Sequence, residues 1–315
     1  MQMQAKTEKM SVEQKKSAVK KYLFILSIVG LQLINFIIFY VYVNANSILM
    51  AFQWRNGDGE LYWTLHAFEL MFRQFTAQGG EMAIALRNTF IYFAVSLVLL
   101  PISFTTSYFM YKKIFGYRVF RIVFFLPSVL SAVVWSTLYK NIIGVEGPIA
   151  ALIQTLDNLP NPPELLGDSK YALGAVIGYS VWLGIASNFI IFSGTLTRIP
   201  ESVIEAGKLD GVGWIRELWQ VILPLMWPTM GTMLLLMMSG IFTSSGNLLL
   251  LTGGEWDTNS ISFLIFQQVY DGYSIVETSN TFNYGSAIGM FFTVLTIPIV
   301  FVSRYFINRI EDVEY

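Results

Sequence analysis

The 315-residue sequence contains no cysteine and a single histidine, His66. The first absence excludes a disulfide framework, a thiolate metal site and a cysteine nucleophile. The second excludes chemistry that needs several imidazoles. Charge is scarce too. Asp, Glu, Lys and Arg make up 13% of the residues, about half the roughly 25% of a soluble domain. So few charges cannot cover the surface of a water-soluble enzyme of this size. The net charge of −1 offers nothing to nucleic acid. A phosphate loop is also missing: Gly207-Lys208 has the right ending, but Ser202 stands where the first glycine belongs. No metal or cofactor site is expected.

What is abundant is apolar. Hydrophobic residues reach 54% and aromatics 16%, too much for a disordered chain. A membrane-spanning helix needs about 20 apolar residues, and the gaps between charges show where they lie. Tyr22–Trp54, Asn88–Tyr111, Ile122–Tyr139, Tyr171–Thr197, Leu218–Gly254 and Thr278–Ser303 are each free of charge. They predict six spanning helices, near 22–44, 88–111, 120–139, 172–196, 226–250 and 284–307. The gap Thr258–Tyr270 is too short to span and predicts a surface or re-entrant helix. The fold class is therefore an all-α membrane protein.

Orientation follows from Lys and Arg in the connecting segments. With the N-terminus inside, 15 basic residues fall on the inner side and five on the outer. Both ends are expected in the cytoplasm. Residues 1–21 read as a cytoplasmic tail rather than a cleaved signal, because the apolar run from Tyr22 is too long. The outer segment of 45–87 is aromatic and predicts a helix carrying His66, Glu69 and Arg73. His66, being alone, reads as an ordinary hydrogen-bonded side chain. In the outer segment of 140–170, Leu159-Pro160-Asn161-Pro162-Pro163 excludes regular structure.

The inner segment Ile199–Pro228 carries the most information. Pro200 suits a first helical turn, and Glu201 and Glu205 favour the positive end of that helix. Gly211 after Asp210 suits a left-handed stop. A second helix is expected from Trp214 to Ile222, with Trp214 and Trp219 as interfacial anchors and Pro224 as its end. By composition alone this could be an ordinary amphipathic surface helix.

Glu205-Ala206-Gly207, Asp210-Gly211 and Leu223-Pro224 resemble the signature loop of permease subunits of binding-protein-dependent ABC importers. One departure is Gly207, where that family usually has alanine. Phe125-Leu126-Pro127, Gly144, Gly147-Pro148, Leu251-Thr252-Gly253-Gly254 and Asn283–Gly289 resemble further stretches of carbohydrate permeases, most closely the larger permease of the maltose-transporter class. The resemblance covers most of 85–307 and implies the type I importer permease fold. It divides the chain into the tail of 1–21, a first helix with its outer segment at 22–84, a core permease domain at 85–307 containing a coupling loop at 198–224, and a tail at 308–315.

The same resemblance implies the partners: a second permease, two ABC ATPase subunits that hydrolyse the ATP, and an external sugar-binding protein, all at a prokaryotic cell membrane. Glu205, Ala206, Gly207, Asp210, Gly211 and Pro224 would couple to the ATPase. For the substrate pathway the candidates are polar or aromatic residues within spans: Asn247, Ser244, Ser245, Asn188, Trp182 and Tyr179. They suit an uncharged, hydroxyl-rich sugar, since no charge lies inside a span. Ser187 and Phe242 belong to the same group. The competing expectation is an ATP-independent secondary transporter or channel for a neutral solute, against which stands the lack of an intramembrane acid.

Overall fold

A computed structural model of the chain describes residues 12–77, 79–157, 162–270 and 275–310. The remainder of both tails, the Leu159-Pro160-Asn161 stretch and the Lys208 side chain lie outside the described residues. Apolar runs in lipid must satisfy their backbone groups internally, and the helix does so within one segment.

The first helical rod comprises α1 (Val12–Asn35), a π-helical stretch (Phe36–Tyr42) and α2 (Val43–Met50). A hairpin follows, β1 (Gln53–Arg55) pairing antiparallel with β2 (Leu61–Trp63). Then come α3 (His66–Thr76), at the position expected for the outer helix, and α4 (Glu81–Tyr111). His66 sits edge-on to Trp54, and its Nδ1 lies 3.7 Å from Glu69. The chain continues as α5 (Tyr117–Val129), α6 (Ala132–Ile143), α7 (Pro148–Asp157), α8 (Ala172–Leu196), α9 (Glu201–Leu209) and α10 (Trp214–Arg216). A second π stretch (Glu217–Ile222) leads into α11 (Leu223–Ser239), then α12 (Leu248–Leu251), α13 (Ile261–Tyr270) and α14 (Thr281–Ile307).

Among the described residues, five helical rods are long and apolar enough to cross a membrane, or six if a bent pair is counted as one span. That pair corrects the single helix expected over 120–139. The chain breaks at Leu130 and Ser131, both in extended conformation. The break frees the Pro127 carbonyl, which accepts from Trp135 Nε1 at 3.1 Å. Despite the bend, both pieces touch α8, in antiparallel order. Phe125 meets the Phe189 ring, Trp135 meets Trp182, Ser136 Oγ lies 3.1 Å from Tyr179 OH, and Tyr139 OH donates to the Ala175 carbonyl.

The fifth expected helix, 226–250, is also corrected. It starts earlier, since helical structure is continuous from Trp214 to Ser239, and it stops earlier, at Gly240. Residues 240–247 form a turn, with Gly246 at φ +56°. Pro224 does not end the second helix of the inner segment. It occupies the first turn of α11, directly after the π stretch. A proline has no N–H to donate, and a first turn asks for none within the helix. The short apolar helix α13 is buried at Ile261, Phe263, Leu264 and Gln268 rather than lying on a surface.

Three apolar clusters hold the fold. One joins α3, α4, α13 and α14 through Met71, Ala85, Leu264, Tyr284 and Phe292. A second, around Trp135, Val176, Tyr179 and Leu248, joins α6, α8 and α12. The third joins α4 and α8 to the inner segment through Phe104, Phe192, Ile204, Leu218 and Ile222. Helices α4 and α8 approach closely: a Cβ added at Gly184 would stand 2.9 Å from Leu99 Cδ1. Two pairs of glycines stand four apart on spans, Gly174 and Gly178 on α8 and Gly285 and Gly289 on α14; Gly178 and Gly285 lie against Tyr139 and Val269, while Gly174 and Gly289 face open space.

Candidate functional site: a polar cavity and an exposed inner loop

Helices α4, α8 and α11 and the turn at 240–247 enclose a cavity of about 590 Å³. Asn188, Ser187, Ser244, Ser245 and Asn247 all line it. The broken fifth span explains how residues 244–247 get there. They lie in the turn, and Asn247 is the N-cap of α12 rather than a side chain deep in a continuous helix. Thr89, Tyr92, Ser96 and Ser180 line the same cavity, and sequence reasoning missed them. Positions 89, 92, 93 and 96 follow helical spacing, so a polar face on α4 was the available signal.

The lining hydroxyls fall into two groups. Thr89 and Ser180 donate to the carbonyls of Ala85 and Val176, Ser96 donates to that of Tyr92, and Tyr92 OH donates to the Thr258 carbonyl. No side-chain hydrogen bond joins Asn188, Ser187, Ser244, Ser245 or Asn247 to any described residue. Among the described residues, no side chain lining the cavity is charged. A group of unbonded amides and hydroxyls on an uncharged wall can receive a ligand rich in hydroxyls.

Tyr179 and Trp182 are not part of that wall. Tyr179 is fully buried and hydrogen-bonded to Ser136, and Trp182 packs edge-on to Trp135 at 4.6 Å. Phe242 is buried against Phe292.

The second site is the inner segment. In α9 only Ile204 is buried among the described side chains, while Glu205, Ala206, Asp210 and Gly211 are exposed. Gly211 adopts φ +69°, as the left-handed stop requires. The Val212 amide then reaches back to the Gly207 carbonyl at 3.0 Å and closes the helix end. Behind this arm, Glu217 is buried, and Lys112 Nζ donates to both its carboxylate oxygens at 2.8 and 2.9 Å. Sequence reasoning missed that pair, since the partners are 105 positions apart in the chain.

Comparison with known proteins agrees with this architecture. The multiple sugar-binding transport system permease protein MsmF of Streptococcus mutans is 27% identical over 58% of this chain and 61% of its own length. The probable ABC transporter permease protein YurN of Bacillus subtilis is 28% identical over 59% and 63%. The sn-glycerol-3-phosphate transport system permease protein UgpA of Pectobacterium atrosepticum is 24% identical over 61% and 63%. The matched stretch thus spans less than two thirds of the length of these relatives. Among solved structures, a chain of a bacterial ABC transporter involved in import of the acidic polysaccharide alginate has the same fold. Its TM-score is 0.77 at 17% identity, covering 94% of this chain and 99% of that one. The sequence pattern of the family described as binding-protein-dependent transport system inner membrane component matches residues 98–312, and the chain belongs to that family.

Proposed function

We propose that this chain forms half of the translocation pathway of an ATP-driven importer for an uncharged sugar or oligosaccharide. The observation that carries this reading is the cavity: five unbonded polar side chains and no charge on its wall. These groups face the cavity with no partner among the described residues, so sugar hydroxyls can take the place of water on them. The relatives named above include permeases for sugars and for a phosphate ester, and the structural neighbour takes an acidic polysaccharide. An anionic solute would want a cation, and none of the described side chains lining the cavity is one.

On this reading the bent pair is one crossing, giving six, with both termini cytoplasmic. The exposed arm of Glu205, Ala206, Gly207, Asp210 and Gly211, with Pro224 at the root of α11, docks on one of two ATPase subunits, which supply the hydrolysis. A second permease completes the pathway, and an external binding protein delivers the sugar. Closure of the ATPase pair rocks the two permeases around a site near mid-membrane.

Proteoliposomes holding the assembled importer test this. ATP should drive accumulation of a neutral oligosaccharide when its binding protein is supplied. Uptake restricted to uronates or glycerol phosphate would overturn the uncharged substrate. Uptake indifferent to ATP would overturn the importer class.

A further inference from the structure

Helix α4 is held at both ends by polar side chains, of which only Thr89 also lines the cavity. Its inner end is clamped to the inner segment. Lys112, the residue closing α4, donates both ways to buried Glu217, and Phe109 packs on the Trp214 ring at 5.4 Å. Leu100, Phe104 and Tyr108 share one apolar cluster with Ile204, Leu218 and Ile222, so the inner half of α4 and the arm of 201–222 form one packed body.

The outer end is clamped differently. Asn88 is fully buried. Its Nδ2 donates to the carbonyls of Asp257 and Asn259 at 2.6 and 2.9 Å, while its Oδ1 accepts from Arg87. Thr89 Oγ1 accepts from the Ile261 amide at 3.0 Å. The segment so held, 253–259, is strained: Gly253, Gly254, Trp256 and Asp257 all have φ between +57° and +80°. Left-handed backbone at a tryptophan and an aspartate costs energy and persists only where the surroundings impose it. Here α4 imposes it. Between the two clamps, α4 lines the cavity. At 31 residues it is about 46 Å long.

We infer that α4 is the rod that carries displacement of the 201–222 arm to the strained 253–259 segment, with Lys112–Glu217 as its inner joint and Asn88 as its outer joint. The inference rests on the importer reading above. Lys112, Glu217 and Asn88 are positioning residues in it. When an ATPase subunit pulls the arm, the ion pair obliges α4 to follow, and Asn88 moves the segment above the cavity.

The absence of cysteine allows single reporters. A fluorophore on Ser202→Cys reports the arm, and one on Trp256→Cys reports the outer segment, in the assembled importer. In the otherwise native chain both should respond to ATP. In Lys112→Met and in Glu217→Gln the arm should still respond and the outer reporter fall silent. Uptake should drop about tenfold, within the roughly 5–150-fold range of coupling effects, and ATP consumed per sugar should rise. The double exchange Lys112→Glu with Glu217→Lys should restore the outer signal and most of the uptake, which a merely destabilised protein would not do. An outer reporter that still answers in Lys112→Met, or a double exchange no better than the single variants, overturns the rod. If neither reporter answers in the native background, the importer reading falls and the rod with it. An arm that answers while the native outer reporter does not overturns the rod alone.

Discussion

The first helical rod and α8 look alike as sequences and differ as structures. Both are long and uncharged through their apolar stretch, and the first is the more hydropathic. Yet none of the first rod's apolar window is buried within the chain, whereas about a quarter of that of α8 is, including Tyr179, Phe189 and Phe192. Lipid tails are as apolar as a protein core, so hydropathy says that a segment crosses a membrane and says nothing about what it touches. Close approach is written in small residues and in unmatched polar ones. Polar groups on the first rod close upon its own backbone: Ser27 donates to Phe24, Asn44 to Tyr40 and Ser47 to Val43. Those around Asn188 do not.

The same substitution in both rods breaks the comparison most sharply. Gly184→Leu drives a side chain into Leu99, with backbone-built Cβ already at 2.9 Å. Overpacking of this kind costs roughly 1–3 kcal/mol, because Leu99 must swing aside. We expect a melting temperature lowered by several degrees and a reduced yield on detergent size-exclusion. Gly30→Leu meets nothing but Leu26 Cγ of its own helix, at 3.9 Å, and should give normal yield and melting temperature. Equal tolerance at both sites would mean that the α4–α8 contact does not hold the fold.

The arm of α9 is exposed like the first rod but carries charge, so it does not lie in the hydrocarbon core. Glu205→Lys and Gly211→Val should leave yield near normal and reduce ATP-driven uptake by about tenfold or more, as expected for a coupling loss of 1–3 kcal/mol. Lysine at 205 reverses a charge on the exposed surface of α9, and valine resists φ +69° at a cost of about 1–2 kcal/mol. Full uptake by both variants would show that the arm is a surface helix and no more.

Legibility follows the same division. Charge gaps placed most of the rods. Gly211 announced its own turn, because a left-handed stop is a local requirement. The breaks at Leu130 and Gly240 were not legible, since they depend on partners such as Trp135 reaching back to Pro127. The hairpin at 53–63 had a local signal, Asn56-Gly57-Asp58-Gly59, that aromatic content obscured. Asn247 was read as a helix-interior residue, and only the fold turned it toward the cavity together with Asn188. The clamp residues Lys112, Glu217 and Asn88 were out of reach, because each finds its partner more than a hundred positions away.

The unbonded amides give an intermediate effect. Asn247→Leu should keep the melting temperature within error and lower uptake by about tenfold, equivalent to about 1.4 kcal/mol of lost sugar contact. Asn44→Leu on the first rod should change neither. An Asn247→Leu protein that melts early yet transports normally per folded complex would make the amide a packing group.

Tyr179 supplies the smallest effect and the finest distinction. It is aromatic, lies on the same helix as Asn188, and was a candidate stacking face for sugar. Its ring is fully buried against Tyr139 at 5.1 Å, and its hydroxyl pairs with Ser136 at 3.1 Å. It therefore ties α6 to α8 just beyond the break at Leu130. Tyr179→Phe keeps the ring and removes one hydrogen bond, worth about 0.5–1.5 kcal/mol. Ser136 retains its own bond to the Ala132 carbonyl at 2.6 Å, so no buried donor is stranded and the cost should sit at the low end. A melting temperature lowered by a few degrees with unchanged uptake and unchanged sugar preference is expected. A change in sugar preference at constant stability would move Tyr179 from the scaffold into the pathway and would extend the cavity past the wall formed by Asn188.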